Sequence, residues 1–189
     1  MKSSLLLFVV SSLLMMGCTT VTPPPAHFSY GIATTGDFSF LPASKPNTYS
    51  WKSDAAVAHV SEEINAKEYI SVIQSLIDQE LSNKGFVKVA PSQSPQMWME
   101  FGIATESKMT DDDIFASTQI STGIQVEAGP GENGEKGSLY IAAFAPLGDF
   151  PRWRVLAQGP TERRIDDPEL RAEMEQIIGS MMKNVPTRL

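Results

Sequence analysis

Apolar and polar residues change their period along this chain, and the changes mark out its elements. From Met97 to Ala104 the large apolar residues Met97, Met99, Phe101 and Ile103 alternate with Trp98, Glu100, Gly102 and Ala104. A period of two belongs to a strand with one buried face. In the region before it the period lengthens, and Tyr69, Val72, Ile73, Leu76 and Ile77 recur at three- and four-residue intervals among Lys67, Gln74 and Asp78. That spacing predicts an amphipathic helix beginning near Glu62. Ser61 can cap it, Glu62 and Glu63 favour its positive end, and Asn83-Lys84-Gly85 supplies a cation and a left-handed terminator. A second helix is predicted from the Asp167 cap and Pro168, through Leu170, Met174, Ile177, Ile178, Met181 and Met182, to a stop at Pro186.

Strand signals fill the rest. Phe38–Leu41 and Thr48–Trp51 flank a turn-rich segment containing Pro42, Pro46 and Asn47, which predicts a hairpin or a paired edge. Phe86–Val89, Leu139–Ala145 and the run through Trp153, Val155 and Ala157 add further strands, and Ile120, Ile124 and Val126 alternate less cleanly. The glycine-rich stretch from Gly129 to Gly137 reads as a long hairpin loop. Helices with one apolar stripe and strands with one apolar face bury both by stacking. The expected fold is therefore α+β: a mainly antiparallel sheet with two amphipathic helices packed on one face, a two-layer sandwich.

The first residues obey another logic. Lys2, the apolar run Leu5 to Leu14 and the small Gly17 before Cys18 form an export signal. An apolar run of about ten residues is too short for a bilayer core that needs about 20. Cys18 is the only cysteine, and its place at the end of this signal resembles a bacterial lipoprotein box, although Met15 and Met16 stand where leucine and a small residue are usual. The resemblance implies that the Cys18 thiol carries diacylglycerol and an acyl chain such as palmitate after cleavage. With each buried methylene contributing about 0.8 kcal/mol, two chains already anchor stably. Thr19, rather than aspartate, follows Cys18, which by the same resemblance implies the outer membrane, with the domain on its periplasmic side. Pro23-Pro24-Pro25 makes a stiff spacer. The expected organisation is a signal peptide over 1–17, lipidated Cys18 and a Pro-rich spacer over 18–36, and a single α+β periplasmic domain over 37–189.

Charge and composition narrow the partners. The formal net charge of −7 argues against nucleic acid and against an anionic lipid surface. With the one thiol used by the anchor, the domain has no disulfide, although the compartment permits one. Its stability must come from packing.

Several short features, in this order and spacing, resemble a family of bacterial envelope lipoproteins known as domain of unknown function 4136. They are Thr48-Tyr49-Ser50-Trp51, Leu81-Ser82-Asn83-Lys84-Gly85-Phe86, the strand entered through Pro95-Gln96-Met97, Trp153-Arg154, and Val185-Pro186. Gln96 stands where aspartate is usual in similar sequences. The resemblance implies a lipoprotein fold and brings no activity or catalytic residues with it.

No reactive set emerges from the remaining residues. The only histidines, His27 and His59, lie in regions with no nucleophile signature, and two histidines with a lipidated cysteine are too small a supply for structural zinc. Asp111-Asp112-Asp113 lacks the spacing of a calcium loop and reads as a solvated loop. The glycine-rich segment before Ser138 does not match a phosphate-binding loop. No cofactor and no metal are expected. Met174, Met181 and Met182 could line an adaptable binding groove, but at helical spacing on the apolar face they read as core filler.

The sheet face away from the helices carries the one candidate surface. If Met97, Met99 and Phe101 point inward, Trp98 points outward, and by the same alternation so do Tyr140 and Phe144, with Arg152 and Arg154 nearby. Such an aromatic face edged with arginine suits an envelope protein partner; the competing expectation is that a neighbouring segment folds over it. The overall expectation is a non-enzymatic, lipid-anchored binding or structural module. Its alternatives are a small envelope hydrolase and a carrier of a small apolar ligand, the latter requiring a cavity lined by Met174, Ile178 and Phe101.

Overall fold

The computed structural model describes residues 30–43, 46–62, 64–126, 135–161 and 168–188. Cys18, the signal, His27, residues 129–134 of the expected loop, Glu63 and the Asp167 cap lie outside them. In chain order the elements are β1 (Gly31–Gly36), β2 (Thr48–His59), α1 (Ala66–Asn83), β3 (Val87–Lys88), β4 (Met97–Thr105), α2 (Asp111–Thr118), β5 (Lys136–Phe144), β6 (Pro151–Pro160) and α3 (Pro168–Met181). Single 3-10 turns cover Pro91–Gln93 and Met182–Asn184.

The described strands form one sheet in the order β1-β6-β5-β4-β2-β3. The β1–β6, β6–β5 and β5–β4 pairs are antiparallel, whereas β2 runs parallel to both β4 and β3. The sheet is thus mixed rather than mainly antiparallel. The cause is α1: a helix between two strands acts as a crossover, which lets the second strand lie parallel beside the first. Alternation within a strand does not encode its direction.

Three further expectations need correction. Phe38–Leu41 is no strand and β2 has no hairpin partner there; Phe38 and Leu41 are instead buried turn residues, the Phe38 ring lying 5.1 Å from that of Trp153. Gly31–Gly36, placed by the sequence in the spacer, is an edge strand paired along its length with β6. Asp111-Asp112-Asp113 is not a loop but the first turn of α2. Thr110 caps that helix: the Asp113 N–H donates to Thr110 Oγ1 at 3.3 Å, and Asp113 Oδ2 accepts from the Thr110 N–H at 3.1 Å. Three carboxylates at the positive end of a helix are favourable.

The main core lies between the sheet and the α1 and α3 layer. Ile73, Leu76, Ile77 and Leu81 of α1, with Ile178 and Met181 of α3 and Met182 of the 3-10 turn after it, meet Met97, Met99, Phe101, Ile141, Trp153 and Val155 of the sheet. α1 starts at Ala66 behind Asn65, four residues later than the charge pattern suggests, because residues up to Ile64 are taken by a turn in which the Ile64 N–H donates to the Ser61 carbonyl. It ends as expected: Gly85 adopts φ of +85°, and the Gly85 and Phe86 N–H groups donate back to the Ser82 and Leu81 carbonyls. On the opposite face α2 stands apart from the two-helix layer, and Ile114 and Ile120 pack on Leu156 with Tyr140 and Ala33 alongside. No helix of the described residues is long and apolar enough to cross a membrane.

Candidate functional site

Helix-facing side chains of neighbouring strands line up in rows, and two of these rows floor a concavity. Ile103 of β4, Leu139 of β5 and Ala157 of β6 are register partners. In the next such row, Thr105, Gly137 and Gly159 follow, and two side chains drop out. The space above Gly159 is used by Tyr30, where an added Cβ would lie 2.3 Å from the ring. The space above Gly137 is used by the Thr161 methyl. Over these two rows, the helix layer and the sheet part to leave a cleft of about 650 Å³.

Its walls are built from every neighbouring element. Tyr69 and Ile73 come from α1, Met174 and Ile177 from α3, Val60 and Ile64 from the segment between β2 and α1, and Ile103, Leu139 and Ala157 from the sheet. Polar groups sit among them. The Tyr30 hydroxyl donates to Glu173 Oε1 at 2.6 Å, tying the start of β1 to α3, and Asn65 Nδ2 donates to Glu68 Oε2 at 3.1 Å. The described lining includes Glu68 and Glu173 and no lysine, arginine or histidine. Of the residues expected to line a carrier cavity, Met174 does so. Ile178 and Phe101 are sealed in the core, and Ile177 and Ile103 occupy the wall instead.

Across the sheet from this end lies a buried polar cluster that the sequence did not reveal. Lys136, 4% exposed, places Nζ 2.5 Å from Asp111 Oδ2 and 3.6 Å from Glu106 Oε1. Gln158 Nε2 donates to Asp111 Oδ1 at 2.9 Å and to Ser138 Oγ at 3.1 Å, and its Oε1 accepts from the Thr122 hydroxyl. Burial opposes ionisation of Asp111, but its bonds from Lys136 and Gln158 prevail and hold the carboxyl below its ordinary range. The cluster fastens α2 to the sheet.

The aromatic residues proposed for a partner surface do share the face away from α1 and α3. Trp98 pairs with Phe144, Gly102 with Tyr140, and Ala142 with Arg154. Phe144 is only 3% exposed, and Lys52 places Nζ 3.0 Å from its ring centroid while pairing with Glu100 at 3.0 Å. Lys52 reaches there because β2 bulges: Trp51 pairs with Met99 and Ala56 with Phe101, leaving Lys52 to Ala55 outside the regular ladder. Tyr140 packs beside α2, and burial, helped by the Glu100 charge, pushes its hydroxyl up to about 12. Trp98 and Arg154 are half-buried and Arg152 is exposed. Cys18 lies outside the described residues. His59 is exposed at the end of β2, and among the described residues no three His, Cys, Asp or Glu side chains gather to hold a metal ion.

The fold has solved counterparts. It is similar to that of the PelC dodecamer from Paraburkholderia phytofirmans, with a TM-score of 0.51, 9% sequence identity, and coverage of 85% of this chain and 100% of that chain. A single-substitution variant of PelC gives a TM-score of 0.52 at 9% identity with the same coverage. The chain is also similar to a DUF4136 family protein from Bacteroides thetaiotaomicron, at 11% identity and a TM-score of 0.49, over 84% of this chain and 98% of that chain. No family model and no curated protein matches the sequence. Likeness at such identities is one of fold.

Proposed function

We propose that the protein is a lipid-anchored lipoprotein of the cell envelope, attached through Cys18 to the outer membrane on its periplasmic side. In this reading its domain is a non-enzymatic binding module that takes a small apolar ligand between sheet and helices. The observation that carries it is the cleft: about 650 Å³, inside the range of about 300–1,000 Å³ typical of small-molecule sites, with a mainly apolar wall interspersed with polar side chains. Its position suits the anchor. Tyr30, on the cleft, is twelve residues after Cys18, so the cleft stays within about 40 Å of the membrane even with that segment fully extended.

The reading as a binding module rather than a hydrolase is supported by the partners of the polar residues. Ser138 Oγ is hydrogen-bonded to Gln158 instead of a base, and the described cleft residues include no histidine. A second reading, an envelope protein partner on the Trp98 and Arg154 face, is favoured by the exposure of Arg152 beside them.

Two measurements test the proposal. Mass spectrometry of the mature N-terminus is expected to find acylated Cys18; an unmodified thiol on a protein recovered from the aqueous fraction removes the anchor. The full-length protein in phosphatidylcholine nanodiscs, irradiated with an uncharged alkyl aryl-diazirine, is expected to be labelled on α1 and α3 peptides that line the cleft. Filling the cleft with Met174→Trp should abolish that label while circular dichroism stays native. Labelling indifferent to the substitution would defeat the ligand-site reading.

A further inference from the structure

We propose that the ligand of this cleft bears an amine or another cationic group on its polar end. This rests on the reading of the cleft as an apolar ligand site and adds the chemistry of the head group. The wall at Ile103, Leu139 and Met174 suits an alkyl or aromatic body. Among the described lining residues charge is one-sided: Glu68 comes from the first turn of α1 and Glu173 from α3, and none of these residues is cationic.

Both carboxylates are oriented, and the hydrogen bonds they make to described residues do not use up the capacity of either. Tyr30 engages Oε1 of Glu173, and Asn65 engages Oε2 of Glu68. A carboxylate offers about four acceptor sites, so each keeps lone pairs for a further donor. Both fixed partners are neutral, so the negative charge is left uncompensated by either. A fatty acid or phosphate head group placed here meets two like charges beside a low-dielectric wall. An ammonium head group gains a charge-assisted acceptor at either carboxylate. The chain's net charge of −7 adds to the same bias at longer range.

The test displaces the uncharged diazirine probe from the full-length nanodisc-bound protein with decylamine, decanol or decanoate, which share a chain and differ in head charge. Decylamine is expected to halve cleft labelling at a concentration about threefold below that of decanol, the ratio given by roughly one exposed charge contact, with decanoate weakest. The double variant Glu68→Gln with Glu173→Gln keeps an acceptor for Tyr30 and Asn65 while removing the charge. It should bring decylamine and decanol together without lowering probe labelling. Equal potency of decylamine and decanol on the unaltered protein overturns the cationic head group, as does an amine preference that survives the double variant. Absence of any cleft labelling by the neutral probe instead overturns the underlying ligand-site reading.

Discussion

Lys136 shows how one side chain sets conditions on its neighbours. Its ammonium is buried, and burial of a cation is tolerated because Asp111 lies in contact and Glu106 nearby. Removing Asp111's charge strands the cation, so Asp111→Asn is expected to cost about 1–3 kcal/mol in chemical denaturation. Lys136→Met removes the ion instead of its partner and is expected to cost less, because an apolar side chain of similar length needs no counter-charge. Equal losses from the two substitutions would show that packing, not charge, holds this site. Gly159 makes a second residue-scale case. An added Cβ collides with the Tyr30 ring, and moving the ring breaks the Tyr30–Glu173 hydrogen bond. Gly159→Ala should therefore lower the unfolding midpoint, whereas Gly123→Ala, which meets no neighbour within 4 Å but strains a φ of +68°, should act through backbone strain alone.

At the scale of elements, α2 is the piece whose stability follows pH. Asp111 is held below its ordinary range against the opposing effect of burial, and Asp113 is lowered by its bonds to Thr110. A carboxyl whose folded value is depressed stabilises the fold above its unfolded value and loses that contribution as pH falls through the folded one. Because both shifts run downward from 3.8, α2 should hold near neutrality and loosen below about pH 4. Hydrogen exchange should then report faster exchange in α2 while α1 stays protected; a uniform response across both helices would refute it. The same element shows where sequence patterning stops. α1 and β4 declare themselves because each has a long apolar period with a matching buried face, Ile73, Leu76 and Ile77 in one and Met97, Met99 and Phe101 in the other. α2 has eight residues and one buried side chain, Ile114, too little for a period to register, and its three acids look solvated whether or not a helix holds them. β1 escapes for a related reason: Gly31, Ala33, Thr34 and Thr35 carry no apolar alternation, and only pairing with β6 makes a strand of them. The cleft was hidden because it forms where α1, α3 and the sheet part company, and a periodic pattern within each element does not record the spacing between elements.

The whole molecule offers two chemically distinct faces separated by one sheet. On the α1 and α3 side lies the apolar cleft with its carboxylates; on the other lie Trp98, Arg154 and the Lys52-capped Phe144, with α2 beside them. Residues with no shared partner on opposite sides of a packed layer are expected to act additively. The ligand and partner readings can therefore be separated in one protein. Trp98→Ala and Arg154→Ala should leave diazirine labelling of the cleft unchanged, and Met174→Trp should leave crosslinked capture of an envelope partner unchanged. If Trp98→Ala reduces both with folding intact, the two faces are coupled and a single partner engages the domain through the sheet. If neither substitution on the aromatic face alters capture, that face is not the contact, and the half-burial of Trp98 and Arg154 reflects packing among themselves.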